Sequence, residues 1–262
     1  MIDLHCHILP GIDDGAPTLK DTLAMARAAV AAGTKTMVAT PHVSWEWPDN
    51  NAALIASKVD EVNDALRGEE LDLEVRPGAE IAMSRASELD DEELRALRLG
   101  GGPWLLVECP FVSSAAGFDL ALSDLQARGH QVVLAHPERC AAFQRDPEAL
   151  RGFLSSGMLS SITAGSLIGR FGRTVKAFSE HLMRTGLVDN VSSDAHDAGP
   201  RRDPAIAPVL DSAGFGAQAD WLGRAVPLAV LSGTRIPPRP AAEARGARAV
   251  LGLIGERKVT WR

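Results

Sequence analysis

The sequence predicts an α/β fold built from parallel βαβ units, and two observations support this prediction. Short apolar runs with β-forming residues alternate along the 262 residues with amphipathic stretches rich in Ala and Leu. His, Asp or Glu residues come at the ends of most of the apolar runs, where the strands of a (β/α) barrel converge. The alternation alone is compatible with a closed barrel or an open doubly wound sheet, and the polar residues favour the barrel.

Seven apolar runs are predicted strands, and amphipathic helices are predicted between them. The strands are Ile2–His7, Thr34–Thr40, Leu71–Arg76, Trp104–Glu108, Gln131–His136, Met158–Thr163 and Val188–Ser193. In the first helix, Thr18–Ala32, apolar residues share one face and Gly33 forms the C-terminal cap. The other predicted helices are Asn51–Arg67, Ser87–Leu97, Phe118–Arg128, Pro147–Ser156, Arg173–Thr185, Asp203–Ala213 and Ala217–Leu231.

The C-terminal part of the chain is predicted to lie outside the main domain. Ile236–Pro240 contains three prolines and has the composition of a semi-rigid spacer. We therefore expect one domain over residues 1–240, followed by a helix at Ala241–Ile254 and a loosely held tail at Glu256–Arg262.

Composition excludes several classes of partner. The net charge of −7 disfavours nucleic acid and anionic membranes, because both repel a surplus of carboxylates. No apolar run approaches the roughly 20 residues that a membrane span needs, and the N-terminus does not resemble a signal peptide. Three cysteines are too few for a disulfide framework, so we expect a reducing cytoplasm. The chain contains no tyrosine.

Nine candidate metal ligands come at or just after the carboxyl ends of the predicted strands. Two pairs, His5 with His7 and Asp194 with His196, have the i, i+2 spacing that points side chains to one face of a strand. The complete set is His5, His7, Asp14, His42, Glu80, Glu108, His136, Asp194 and His196. In a barrel all nine would line one pocket, whereas an open sheet would spread them along a row. His130 and His181 do not fit this pattern and are predicted to be structural.

These residue types indicate divalent cations rather than a covalent nucleophile. A single His after a strand is usually structural, but the repetition of His, Asp and Glu at six strand ends favours a site. Imidazole and carboxylate ligands suit Mn²⁺, Fe²⁺ or Zn²⁺, and nine ligands suit two or three ions. A water shared by two such ions becomes a hydroxide nucleophile near neutral pH. No cysteine has an arginine six residues later, so a cysteine-dependent phosphatase is excluded.

The motifs resemble those of the polymerase and histidinol phosphatase (PHP) superfamily. The resemblance spans about residues 1–235 and includes Ile2–Gly15, Thr40–His42, Gly78–Glu80, His136–Arg139 and Ser193–His196. Within the superfamily the chain is similar to the bacterial manganese-dependent protein tyrosine phosphatases of capsule and exopolysaccharide operons. Val43 and Thr163 differ from the residues common at these positions in that family. Neither is a metal ligand by the resemblance, so the differences concern loop details and substrate contacts.

The resemblance implies a distorted (β/α)₇ barrel with three divalent ions, Mn²⁺ foremost and Fe²⁺ or Zn²⁺ as alternatives. By this resemblance, one ion is held by His5, His7, Glu80 and Asp194, a second by Glu80, Glu108 and His136, and the third by Asp14, His42 and His196. Arg139 and Arg201 correspond to the phosphate-binding arginines, and Arg202 could take the place of Arg201. Glu108 and His136 are expected to be essential for turnover.

The implied function is hydrolysis of phosphotyrosine on a partner protein, which the resemblance suggests is an autophosphorylating bacterial tyrosine kinase. Because the chain has no tyrosine, the substrate must be another protein. Trp45 and Trp47 are candidates to flank the substrate ring. Histidinol-phosphate phosphatase of the same superfamily remains an alternative, as does a non-catalytic, metal-dependent regulatory module, whereas a PHP exonuclease fits the acidic chain poorly.

Overall fold

The computed structural model describes residues 1–112, 114–199 and 202–240, which form a mixed α/β fold with parallel strand pairing. The strands are β1 Ile2–Cys6, β2 Thr36–Ala39, β3 His42–Val43, β4 Glu74–Pro77, β5 Glu80–Ala82, β6 Trp104–Glu108, β7 Gln131–Ala135, β8 Leu159–Thr163 and β9 Asn190–Ser192. One sheet has the order β1-β2-β4, and the other has the order β3-β5-β6-β7-β8-β9. The helix and tail predicted over residues 241–262 lie outside the described residues.

Helices connect the strands, and their apolar faces pack on the sheets. They are α1 Leu19–Ala31, α2 Ala52–Gly68, α3 Met83–Ala86, α4 Asp91–Ala96, α5 Phe118–Ala127, α6 Ala141–Arg145, α7 Pro147–Ser155, α8 Ala164–Leu167, α9 Arg173–Thr185, α10 Ala207–Ser212 and α11 Val226–Ser232. Thr and Asn are preferred at helix N-caps, and here the side chains of Thr18 and Asn51 accept hydrogen bonds from backbone N–H groups in the first turns of α1 and α2. Strand residues such as Leu4, Met37 and Leu106 are fully buried in the core.

Each of the seven predicted runs contains one strand, but two further short strands, β3 and β5, were not predicted. The run Thr34–Thr40 contains β2, and β3 follows it beyond Pro41, which has no N–H for the ladder. The run Leu71–Arg76 contains most of β4, and β5 follows it beyond Gly78. A Cβ at Gly78 would lie 2.7 Å from Val38 Cγ1, so only glycine permits this close approach.

Two helix predictions were also too long, and a third segment is helical throughout but is not one regular α-helix. The helix predicted at Ser87–Leu97 starts at Asp91, because the Asp90 carboxylate and Glu93 form a reciprocal capping box. The one predicted at Asp203–Ala213 is shortened to α10. The one predicted at Ala217–Leu231 is divided into a 3₁₀ turn, a π-turn at Trp221–Ala225 and α11, where Pro227 near the start cannot donate a helical hydrogen bond.

The carboxyl end of β1 is joined to the segment that follows β9. Cys6 forms a parallel bridge with Ala195, and the His7 N–H donates to the Ala195 carbonyl at 2.8 Å. The buried Asp3 carboxylate reinforces this junction by accepting the Ser193 N–H at 3.0 Å, the Ser193 hydroxyl at 2.5 Å and the His5 N–H at 3.3 Å. Burial raises the pKa of Asp3 to about 6, so near pH 7 these donors face an ionised carboxylate.

We expect Asp3→Ala to lower the free energy of unfolding by about 1–3 kcal/mol, because three donors then lose a buried acceptor. The measurement is urea denaturation in the presence of a chelator, so that bound cations do not contribute. Asp72→Ala is the matched control, because that exposed carboxylate contacts only the exposed Lys35 among the ion pairs of the described residues. Equal stability of the two variants would contradict the proposed role of Asp3.

Candidate metal centre

The structure brings the nine predicted ligand residues together in one cluster, and six of them line a single cavity. His5, His42, Glu80 and Glu108 lie within β1, β3, β5 and β6 respectively. The others follow strands directly or through a loop: His7, Asp14, His136, Asp194 and His196. His136 and Asp194 have positive φ angles of 32° and 51° respectively, a backbone conformation that is costly outside glycine and is concentrated at functional sites.

The buried Glu80 carboxylate lies at the centre of the cluster. Its Oε2 atom is 3.2 Å from His5 Nε2, 3.3 Å from His7 Nε2 and 3.2 Å from His42 Nδ1. Its Oε1 atom is 2.7 Å from His136 Nε2. One carboxylate therefore contacts four imidazoles, as expected of a residue that is shared between ions.

Asp194 lies beside His5 and His7 in the cluster. Its Oδ1 atom is 3.5 Å from both His5 Nε2 and His7 Nε2. Burial by itself would raise the pKa of Asp194, but the neighbouring His5 and His7 and the His136 ring hold it well below its usual value. Burial also raises the pKa of Glu80, but the neighbouring His5 and His136 outweigh it and hold this pKa well below its usual value.

Asp14 and two histidines form the third part of the cluster. Asp14 Oδ1 is 3.4 Å from His42 Nε2 and 3.3 Å from His196 Nε2. The centroid of the His7 ring lies 3.9 Å from that of His196 and 4.6 Å from that of His42. Because His7 also contacts Glu80, it connects these residues to the carboxylate at the centre of the cluster.

The potential ligand atoms fall into three overlapping groups, each with its atoms within 4.8 Å of one another. The groups are His7, Asp14, His42 and His196; His5, His7 and Glu80; and His42, Glu80 and Glu108. His7, His42 and Glu80 each belong to two of these groups. In the ligand sets that the resemblance implies, only Glu80 is shared between two ions. His136 contacts Glu80 and lies 3.8 Å from Glu108, so it borders the third group.

The donor set and its unsatisfied atoms fit divalent cations. Glu80 Oε2 and His196 Nε2 are buried and form no hydrogen bond in the described structure, although side chains of the cluster lie 3.2–3.3 Å from them. Buried polar atoms without a partner are costly, and a cation would satisfy those that face the cluster. Mixed imidazole and carboxylate donors suit borderline to hard divalent ions.

Two arginines reach the cluster from the cavity wall. Arg139 donates to Asp194 Oδ2 at 2.8 Å, and Arg202 lies 3.5 Å from Asp194 Oδ1 and 3.6 Å from Asp14 Oδ2. Both line a cavity of about 460 Å³ that also includes ligand residues such as Glu108. Arg201 lies outside the described residues.

Sequence reasoning missed Asp13, which contacts two candidate ligands, His7 and His42. Its Oδ2 atom is 2.7 Å from His7 Nδ1 and accepts the His42 N–H at 3.2 Å, while its Oδ1 atom accepts the Gly15 N–H at 2.9 Å. A carboxylate on the far nitrogen of a ligand histidine fixes the ring and its tautomer. The Asp13–Asp14 pair in a loop between glycines was the available signal, but it does not show which carboxylate faces the cavity.

The remaining residues singled out from sequence lie elsewhere or do not take part. His130 contacts Asp91, and the His181 ring stacks on Phe178. The three cysteines are buried, and burial raises the pKa of each thiol, which makes them poor nucleophiles. Trp45 is on the cavity wall, whereas Trp47 lines a separate depression beside it.

A sequence profile described as "Capsular polysaccharide synthesis, CpsB/CapC" matches residues 1–213. The chain belongs to the CpsB/CapC family. It is 40% identical over 201 residues to tyrosine-protein phosphatase YwqE of Bacillus subtilis (strain 168), covering 77% of this chain and 79% of that protein. It is 24% identical over 208 residues to tyrosine-protein phosphatase CpsB of Streptococcus pneumoniae, covering 77% and 85% respectively.

Solved structures extend the similarity of this CpsB/CapC family member to its fold. A chain from the crystal structures of YwqE and CpsB, described as unique metal-dependent tyrosine phosphatases, superposes with a TM-score of 0.81 at 35% identity. The match covers 93% of this chain and all (100%) of that one. The 5-methylcytosine deaminase of Klebsiella pneumoniae shares the fold alone, with a TM-score of 0.53 at 13% identity over 88% of this chain and 73% of the other. Among the helices of the described ranges, none has the length and apolar character to cross a membrane.

We expect Asp13→Ala to weaken Mn²⁺ binding by about 10- to 100-fold, because the His7 ring loses the partner that orients it. Isothermal titration of the chelator-treated protein with Mn²⁺ measures the effect. Asp49→Ala is the control, since this exposed carboxylate lies in the nearby loop between β3 and α2. Unchanged affinity in a folded Asp13→Ala protein would show that Asp13 does not support the site.

Proposed function

We propose that this protein is a metal-dependent protein tyrosine phosphatase that hydrolyses phosphotyrosine on a partner protein. One observation carries the proposal: the nine candidate ligands form one cluster, and six of them line a single cavity together with two arginines. Cations and arginines together make such a cavity complementary to a phosphate dianion. The similarity to YwqE, a named tyrosine-protein phosphatase, supports the choice of phosphotyrosine.

The fold that supports this site is interpreted as a distorted (β/α)₇ barrel over residues 1–240. In this interpretation β2 with β3 and β4 with β5 each count as one strand. The bridge between Cys6 and Ala195 and the Asp3–Ser193 hydrogen bonds support closure between the first and last strands. Closure explains why ligands that are distant in sequence lie within one cavity.

Three divalent ions, with Mn²⁺ as the first candidate, fit nine ligands in three overlapping groups. The residues that would hold them are those of the predicted set, with Glu80 shared between ions. When bound, the cations offset the negative charge of the phosphate and acidify a coordinated water to supply the nucleophile. The buried thiols leave no cysteine nucleophile, which agrees with this chemistry.

The protein's own side chains bind and orient the phosphoryl group. The Arg139 guanidinium presents a planar fork that can donate to two phosphate oxygens, and Asp194 orients it through the 2.8 Å hydrogen bond. The second phosphate-binding arginine is Arg201 or Arg202, of which Arg202 lines the cavity. A tyrosine leaving group has a pKa of about 10, so departure of the phenolate needs no strong general acid.

The partner is proposed to be an autophosphorylating bacterial tyrosine kinase, because this chain has no tyrosine of its own to modify and its family is described by capsular polysaccharide synthesis. A cytoplasmic location is proposed from the cysteine content: three buried thiols without a disulfide suit a reducing compartment.

We expect chelator-treated protein to lose phosphate release from a phosphotyrosine peptide and to regain it when a divalent cation is added back. Mn²⁺, Fe²⁺, Zn²⁺ and Mg²⁺ are tested in turn with a phosphate-release assay, and we expect Mn²⁺ to restore the highest rate. Glu108→Gln is the matched variant, in which added Mn²⁺ should restore little turnover because one ligand oxygen is replaced by an amide. Full activity without any cation would contradict the proposal.

We expect Arg139→Ala to lower kcat/KM for the phosphotyrosine peptide by about 10- to 100-fold, through loss of charge-assisted hydrogen bonds. Arg202→Ala should show a comparable loss if this residue is the second phosphate arginine, and Arg201→Ala then serves as its comparison. Arg67→Ala is the control, because this exposed arginine pairs with Asp64 on the surface of α2. Wild-type kinetics in Arg139→Ala would remove the arginine from the site.

A further inference from the structure

The guanidinium of Arg139 lies over two phenylalanine rings. Its central carbon is 5.0 Å from the ring centroid of Phe111 and 4.7 Å from that of Phe171. Both distances are within the range of a cation–π contact. Together with the hydrogen bond to Asp194, these rings restrict the directions in which the guanidinium can point.

Phe111 also contacts a proposed metal ligand. Its ring stacks on the His136 imidazole, with centroids 5.5 Å apart and an interplanar angle of 16°. The ring therefore lies beside both the arginine that binds phosphate and one side chain of the metal cluster. A group esterified to a phosphate at Arg139 would come close to this ring.

The position of Phe111 is fixed by the backbone on either side of it. The Cys140 thiol donates to the Pro110 carbonyl at 3.4 Å, and the Ala142 N–H donates to the Val112 carbonyl at 3.1 Å. The loop that carries Phe111 is thus attached to the segment that directly follows Arg139. Phe111 and Arg139 are held together by these contacts even though the Phe111 side chain faces water.

Phe111 is 53% exposed on a cavity wall that consists mainly of charged and polar side chains. An exposed aromatic ring in such a wall is suited to contact an aromatic group of a ligand. Trp45 is the other large exposed ring on the described part of this wall, but the Arg85 guanidinium lies 4.7 Å from its ring. Phe171, by contrast, is half-buried and is not part of the wall.

We propose that Phe111 is a specificity-determining residue that contacts the aryl ring of the substrate, and that Phe111 and Phe171 position Arg139. This inference rests on the proposed phosphatase function, because it assigns to the Phe111 ring the preference of the enzyme for aryl over alkyl phosphomonoesters. Phe171 acts only through Arg139, whereas Phe111 acts both on Arg139 and on the ligand ring.

Binding of two non-hydrolysable phosphonates separates these roles. Phenylphosphonate and methylphosphonate share the charged group and differ in the ring, and calorimetry on the Mn²⁺-loaded protein measures both dissociation constants. We expect the wild type to prefer phenylphosphonate by roughly three- to tenfold, and Phe111→Leu to remove most of that preference. Phe111→Trp, which keeps an aromatic face, should retain it.

Two further variants serve as controls: one changes an exposed apolar side chain elsewhere, and the other changes the second exposed ring on the cavity wall. Leu120→Ala changes an exposed apolar side chain on α5 and should leave both dissociation constants unchanged. An unchanged preference in Phe111→Leu, or a preference lost in Trp45→Leu instead, overturns the assignment of Phe111. Phosphate release by the wild type is measured in parallel: without release, a preference that depends on Phe111 supports the ring contact and contradicts only the phosphatase.

Phe171→Leu tests the positioning role separately. We expect it to weaken both phosphonates by the same factor, roughly two- to tenfold, with the preference for the phenyl compound unchanged. In an Arg139→Ala background the same substitution should have no further effect, because the group it positions is gone. A loss that persists without Arg139, or no loss with Arg139 present, overturns the positioning role.

Discussion

Carboxylates and imidazoles crowded into one largely buried cluster are the constraint on which the rest of the structure depends. Glu80 and Asp194 are buried, and an ionised carboxylate removed from water is costly unless positive charge compensates it. Glu80 contacts four imidazoles, which cannot all be protonated at little cost. Divalent cations supply that compensation without protonation, so the cluster is best understood as a site built for them.

The fold meets this constraint by bringing the ends of parallel strands to one place and by fixing the chain around them. Two candidate ligands, His136 and Asp194, adopt left-handed backbone conformations within two residues of the ends of their strands. Asp3 joins the first strand to Ser193, the residue before Asp194. The left-handed conformation of Asp194 is thus stabilised by hydrogen bonds to the residue that precedes it.

The clustering of the nine candidate residues could be predicted from the sequence, because apolar runs mark the strands and His, Asp and Glu stand out after them. The strand β3 was less accessible, since it consists of only His42 and Val43 after Pro41 and is too short to appear as an apolar run. The role of Asp13 depends on which of two adjacent carboxylates turns toward His7, and local sequence does not encode that choice. Phe111 becomes informative only when its distance to Arg139 is known.

We infer that these side chains hold divalent cations in one cluster, and anomalous diffraction from crystals of Mn²⁺-loaded protein tests this most directly. We expect peaks within about 2.0–2.3 Å of the imidazole and carboxylate atoms around Glu80 and Asp14, in a multinuclear arrangement. Peaks at other places on the protein, or a cavity without anomalous signal at saturating Mn²⁺, would contradict it.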